Sequence, residues 1–428
     1  MNKALKCVLL LVAMTAVVGC QSVYDAKAAM AKGGYNQVLA DTQRLDEFPE
    51  RDQTLVLNYR AHAKMALGYM DSARADYLRA WNIMNHGKGG GITEAQFFSE
   101  RQKWWMGDPY ERAYNSWYLG MLYFENGNVE DAMASFRNAI FVDTGDLEKG
   151  EYAADWLPPF IMRMRCYLDR GDKDGVKMLL EEVNRLEKEP ANFDPDIPWL
   201  NLEAQLEANT VMMIELGEGP YFTAEGHHGS TRAINQGEYR ESFAEVFVDG
   251  ESLGQAYKIG DTFYQAITRG GRVMDDILNG KAIAKTAGIA TGAAAMHVGR
   301  VLLQSGGSSG VKIGGAVALG VGAAVLIASL LMNAEADTRG NVLLPGETHL
   351  MLAKLPPGEH KVEVRYYDAN GNELRDMRQQ GIPLTVPEKG DASLLVRSTP
   401  KYQVPTSESW RTTDPYAIQK PGASTGGK

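Results

Sequence analysis

From residue 22 to about residue 188 the apolar positions recur every three or four residues, a spacing that places them on one face of an α-helix. The rhythm stops at Pro190 and at the Pro195-Asp196-Ile197-Pro198 break. Residues 210–216 then form a short β-rich run. Residues 243–248, the pair Asp249-Gly250 and the segment through Tyr264 predict a hairpin, because Asp-Gly supplies the positive φ of a tight turn. Residues 281–333 are rich in Gly and Ala, and 313–332 carry no charge. Alternation returns across 341–398. Pro356-Pro357-Gly358 opens a strand in which Val362, Val364 and Tyr366 alternate with charged residues. Asp368-Ala369-Asn370-Gly371 closes it in a turn, and 394–396 supply another strand. From Thr399 onward Pro, Ser, Thr and Gly prevail, which predicts a disordered tail.

Within the helical portion a pattern repeats. Leu119, Gly120, Tyr123, Gly127, Ala132, Phe136 and Ala139 fall at the spacings of a paired-helix motif. Gly120 and Ala132 are small where the helices cross, Tyr123 and Phe136 fill the space between them, and Gly127 lies at the turn. This stretch resembles a tetratricopeptide repeat. Ala61, Gly68, Ala73, Tyr77 and Ala80 give a weaker copy. Tyr167, Gly171, Leu180 and Val183 give a degenerate one, and Ala26, Ala29, Gly33, Tyr35 and Val38 a further unit near the N-terminus. The expectation is about four helical hairpins stacked as a short solenoid, since such arrays need roughly three or more repeats to bury a continuous core. An insertion at 86–109 begins with the glycine run at 87–91 and ends in Trp104-Trp105-Met106-Gly107-Asp108-Pro109-Tyr110. Its aromatics either form a binding surface or pack over the solenoid core.

The N-terminus has the three parts of a secretory leader: Lys3 and Lys6, an apolar stretch at 8–18, and a small-residue site. The stretch is too short to span a bilayer. Val17-Val18-Gly19-Cys20 resembles the bacterial lipobox, with Val17 replacing the more usual Leu. That resemblance implies cleavage after residue 19 and lipidation of Cys20. Gln21, rather than Asp, implies sorting to the outer membrane of a Gram-negative cell. With Cys7 removed and Cys20 acylated, Cys166 stands alone, so no internal disulfide is available. Its apolar helical setting predicts a buried small hydrophobe. The formal charge is −10, and losing Lys3 and Lys6 makes the mature chain two units more negative, which argues against a nucleic-acid partner.

Candidate chemistry is sparse. His227-His228 is the one concentrated histidine pair, and adjacent side chains diverge on a strand or a helix, so no metal site is expected. Ser230 beside His228 would be a nucleophile and base only if the fold assembled a triad around them. Gly217-Glu218-Gly219-Pro220 has no following helix and reads as a turn, not a phosphate loop. Glu130 and Asp131 read as a solvated face. No catalytic residue and no cofactor are predicted.

The sequence therefore predicts an α+β multidomain chain. Its parts are a signal peptide at 1–19, a tetratricopeptide-like helical domain at 20–190 and a β-containing middle region at 191–280. A Gly/Ala-rich apolar helical hairpin at 281–333, a small β-sandwich-like domain at 334–398 and the tail at 399–428 follow. This order is similar to a family of envelope lipoproteins with tetratricopeptide-like N-terminal halves. Tyr110-Glu111-Arg112, Asp337-Thr338-Arg339 and Leu355-Pro356-Pro357-Gly358 carry that resemblance. It implies a periplasm-facing scaffold or assembly factor, held by its lipid and binding an envelope protein. The partner-binding candidates are Trp104, Trp105, Tyr110, Asn115 and Tyr118, the last two from the concave face such arrays use. Two alternatives stay open: membrane insertion or oligomerisation through 281–332, and hydrolysis of an envelope polymer.

Overall fold

A computed structural model of the chain describes residues 24–86, 103–143, 155–186, 191–225, 231–268 and 336–398. The leader, Cys20, His227-His228, Ser230, the segment 281–333 and the tail lie outside the described residues. Among the described residues no helix is long and apolar enough to cross a membrane. The fold mixes α and β.

The helices come first. They are α1 (Ala26–Asp41), α2 (Gln53–Ala66), α3 (Met70–His86), α4 (Pro109–Glu125), α5 (Val129–Asp143), α6 (Pro158–Asp169) and α7 (Lys173–Asn184). Three of them end in the same turn. Gly68, Gly127 and Gly171 hold φ of +83°, +72° and +71° and connect α2 to α3, α4 to α5 and α6 to α7. Each glycine N–H returns to the carbonyl three residues back (Met65, Phe124, Leu168). The next N–H reaches the carbonyl five back (Lys64, Tyr123, Tyr167), which satisfies the last helical carbonyls. A left-handed φ at each position is why glycine recurs there.

The crossing in the second hairpin follows the predicted pattern. A Cβ at Gly120 would lie 2.5 Å from the Phe136 ring, so only glycine admits that ring. In the third hairpin the parts exchange helices: the ring is Tyr167 on the first helix and the small residue is Gly175 on the second. The first unit differs from its expectation. Gly33 and Gly34 take non-helical φ of −164° and +62° and break α1 instead of joining two full helices.

Among the described residues ten strands follow: β1 (Thr210–Leu216), β2 (Tyr221–Glu225), β3 (Thr231–Asn235), β4 (Phe243–Val248), β5 (Glu251–Gln255), β6 (Tyr257–Asp261), β7 (Glu347–Ala353), β8 (Gly358–Tyr367), β9 (Gln379–Val386) and β10 (Ala392–Arg397). Short helices α8 (Leu202–Glu207) and α9 (Thr262–Thr268) flank them. One sheet has the order β10-β1-β7-β6 and the other β5-β4-β8-β9, with β2-β3 a separate ribbon. The β4-β5 turn is the predicted one, with φ of +52° at Asp249 and +91° at Gly250, but the hairpin's second arm ends at Gln255: the segment on to Tyr264 crosses to the other sheet as β6 and enters α9. Asp368 likewise closes its turn by accepting from the N–H groups of Asn370 and Asn372.

The two β regions are not separate domains, which corrects the division at 191–280 and 334–398. β1 pairs with β7 and, in parallel, with β10, while β4 pairs with β8. Each sheet therefore contains strands from both regions. Met212, Ile214, Met351, Leu394 and Val396 of the first sheet share a core with Val246, Val364 and Leu384 of the second. On the first sheet's other face, Val211, Met213, Leu350 and Leu395 join the core of α4 to α7. Every residue of β1 is buried, because helices cover one face and the second sheet covers the other.

Candidate functional site

The face of the helices expected to hold a partner is occupied by the chain's own sheet. Tyr118 is 1% exposed, and its hydroxyl donates to Glu215 Oε1 of β1 at 2.9 Å. One turn earlier on α4, the Tyr114 hydroxyl bonds Thr262 Oγ1 at 2.8 Å and approaches Thr348 Oγ1 at 3.4 Å. Tyr59 of α2 donates to the carbonyl of Gly340 at 2.5 Å. Such groups stay buried at low cost only because each finds a partner across the seam.

Buried arginines fasten the same seam. Arg165, in the apolar stretch of α6, holds Asp391 through two bonds of 2.5 and 2.8 Å. Its other donors go to the carbonyls of Gln205 and Ala208. Arg339 binds Asp337 and Asp52 at 2.7 and 2.6 Å and also reaches the Lys103 carbonyl. At the start of α4, Glu111 accepts from the N–H of Asp108 at 2.6 Å and of Asn341 at 2.5 Å. Asp108 in turn pairs with Arg232 of β3, in the β2-β3 ribbon. The motifs Tyr110-Glu111-Arg112 and Asp337-Thr338-Arg339 thus join helices to the β region. In the third motif, Leu355 donates its N–H to Asn209 Oδ1 at 2.9 Å, and the Pro356 carbonyl accepts from His360.

A second polar cluster lies toward α1. Arg397, the last residue of β10, donates through Nη1 to His62 Nε2 at 2.8 Å and to the Leu343 carbonyl. Nη2 serves the carbonyls of Leu344 and Gly217. Because His62 accepts on Nε2, the ring is neutral, and its Nδ1 faces the Tyr77 hydroxyl at 3.3 Å. Burial, with Arg397 alongside, holds His62 well below its ordinary pKa. Glu215 is pushed up to about 7 by loss of solvation, against the pull of Arg397 and the Tyr118 hydroxyl. Tyr35 and Tyr118 flank the His62 ring, with centroids 5.7 and 5.2 Å away.

This cluster forms one end of a small cavity of about 80 Å³ between α2, α3, α4 and strands β9 and β10. Met65, Met70, Met121, Leu122, Ile382 and Leu395 line its length. Glu125, exposed at the end of α4, lines it as well, so the cavity reaches the surface.

The five candidate partner residues separate accordingly. Trp104 is 41% exposed, whereas Trp105 is 4% exposed and packs with α1 and α2. Tyr110 is buried in the main core. Asn115 is buried and donates to Asn58 Oδ1 at 2.9 Å, joining α4 to α2. Buried side chains cannot present a binding face, so the groove centred on Asn115 and Tyr118 is corrected: the sheet covers Tyr118, and Asn115 is enclosed between helices. Cys166 is fully buried, with its thiol pushed up to about 12 by burial. Glu130 is exposed, as is Asp131. Residues 217–220 are irregular, with a bend at Gly217, whose φ is +69° and whose N–H is donated to Glu241. Among the described residues no set of three His, Cys, Asp or Glu side chains is grouped to hold a metal ion.

Sequence reasoning did not single out His62, Glu215 or Arg397. A signal existed for two of them: Glu215 interrupts Val211-Met212-Met213-Ile214, and Arg397 ends Leu394-Leu395-Val396, so each is a charge in an apolar strand. No family model, curated protein or solved structure matches the chain.

Proposed function

We propose that the chain is a lipid-anchored, non-catalytic scaffold or assembly factor of the Gram-negative envelope. It is tethered to the outer membrane through Cys20 and faces the periplasm. In this reading the three glycine-turned hairpins form a tetratricopeptide-like array carried on the chain's own β sandwich. One observation carries it: the polar side chains of the seam are committed to joining the two layers. Tyr59, Tyr114, Tyr118, Arg165 and Arg339 all bond across it. A body stiffened in this way suits presentation of outer surfaces to a partner. The exposed Trp104 at the mouth of the 86–109 insertion is the best-placed anchor, since aromatic side chains are favoured contact residues.

The test combines a photocrosslinker at position 104 with a Cys20→Ala variant, both in cells. The scaffold reading expects reproducible capture of one envelope protein from position 104. The anchoring reading expects Cys20→Ala to move the protein from the membrane fraction to the soluble periplasm. Absence of any protein crosslink at 104 would overturn the first. Retention of the Cys20→Ala chain in membranes would overturn the second.

A further inference from the structure

A separate cleft opens where the parallel strands β1 and β10 end. Its volume of about 240 Å³ lies below the roughly 300–1,000 Å³ of drug-sized pockets, so its guest is small. Met30 of α1 and Met377, which precedes β9, supply thioether walls. Glu241 lines the cleft and is 4% exposed. The backbone N–H groups of Gly217 and Arg240 donate to its carboxylate at 3.0 Å each, and the Ser398 hydroxyl donates as well. All three neighbours are donors, so the group is held as the carboxylate. Among the described residues no Lys, Arg or His side chain pairs with it within 4.0 Å. Buried charges are ordinarily paired, whereas this one meets only uncharged donors.

The rest of the lining decides what can supply the missing charge. Glu218 and Glu238 are exposed at the rim, Glu218 at 3.2 Å from Lys27 and Glu238 without an ion-pair partner among the described residues. Three lining carboxylates therefore outnumber the two lining cations, Arg240 and Arg397. Arg240 is paired with Asp376 at 2.5 Å. Arg397 spends its Nη donors on His62 and on three backbone carbonyls. An anionic guest would meet the carboxylates as like charges. A guest carrying ammonium groups meets open acceptors both at the floor, on Glu241, and at the rim, on Glu238. Arg397 repels such a guest, which keeps its inner ammonium on the side formed by residues 238–241. We propose that this cleft binds a short aliphatic diamine, one ammonium at Glu241 and the other at Glu218 and Glu238, with its methylenes against Met30 and Met377. This site is independent of the scaffold reading, since it uses no protein partner.

The test is isothermal titration calorimetry of the full chain carrying Cys20→Ala with 1,4-diaminobutane at low ionic strength, where screening is weakest. Butylamine, 1,4-butanediol and Mg²⁺ are the comparison probes. The expected result is saturable one-to-one binding of the diamine, with butylamine weaker by about tenfold or more and no binding of the diol. Glu238→Gln, at an exposed position, should weaken the diamine by about tenfold without changing the melting curve. Glu241→Gln, which removes the buried charge, should abolish binding in a chain that still melts cooperatively. Absence of saturable binding to the parent chain would overturn the proposal whatever the variants do. So would butylamine binding as tightly as the diamine, or Mg²⁺ displacing the diamine at equal concentration, since either outcome describes a site for any cation. Unchanged affinity in Glu238→Gln would also overturn it, and that variant decides the matter even if Glu241→Gln fails to fold.

Discussion

At the scale of single residues, neighbours in sequence can have opposite roles. Trp104 is largely exposed, whereas Trp105 packs with α1 and α2 and donates its backbone N–H to Arg51. Trp105→Ala should therefore cost about 3–5 kcal/mol, the range for emptying a buried indole site. Trp104→Ala should stay within about 0.5 kcal/mol. Denaturant unfolding of the two variants checks both. Glu215 adds a dependence on pH. Its folded pKa, about 7, lies above the ordinary carboxylate value of 4.5, so the folded state holds its proton longer than the unfolded chain does. The stability from this group is fully present below pH 4.5 and is lost as pH rises through about 7. Glu215→Gln, which cannot ionise, should gain in melting temperature relative to the parent between pH 5 and pH 8. A parallel pair of melting curves across that range would refute the assignment. His360 behaves in the opposite sense to His62. It bonds Asp249 and the Pro356 carbonyl, and both raise its pKa above 6.5. Its contribution is thus present below 6.5 and fades as pH rises through the folded value. An NMR titration should find His360 above 6.5, moving back toward 6.5 in Asp249→Asn.

At the scale of elements, the repeated unit is the glycine-turned hairpin, and its crossing is as specific as its turn. Gly120→Ala would place a methyl against the Phe136 ring and should destabilise by about 1–3 kcal/mol, measured by chemical unfolding. The second hairpin was legible in the sequence because its small and large residues follow the usual helices. The third looked degenerate because Tyr167 and Gly175 exchange those helices, although the packing of ring against glycine is the same. The hairpin at Asp249-Gly250 and the strand through Val362, Val364 and Tyr366 were legible from turn chemistry and alternation alone. Pairing between strands far apart in sequence was not, since no local rule links β1 to β10 across the long intervening chain. The partner groove failed for a related reason. Tyr114 and Tyr118 have the residue types of a binding face, and only the tertiary arrangement reveals that they bond the chain's own sheet.

At the scale of the whole molecule, the helices, the first sheet and the second sheet form three layers that share cores and polar ties. Arg165 and Asp391 illustrate the coupling, because the pair joins α6 to the approach to β10. Losing the guanidinium in Arg165→Met would leave the Asp391 carboxylate, only 9% exposed, without a countercharge, at about 3–5 kcal/mol. The interleaving of strands also means that a chain ending at residue 335 would lose β7 to β10 and leave β1 without neighbours on either side. The inner face of the helices is covered by the chain's own first sheet, and Tyr118 bonds that sheet directly. The most direct measurement is a photocrosslinker at Tyr118 in intact cells, with the products identified by mass spectrometry. Crosslinks within the chain, to β1 around Glu215, are expected, with no other protein captured. A reproducible crosslink from position 118 to another protein would contradict this, because that outcome requires the groove to be open.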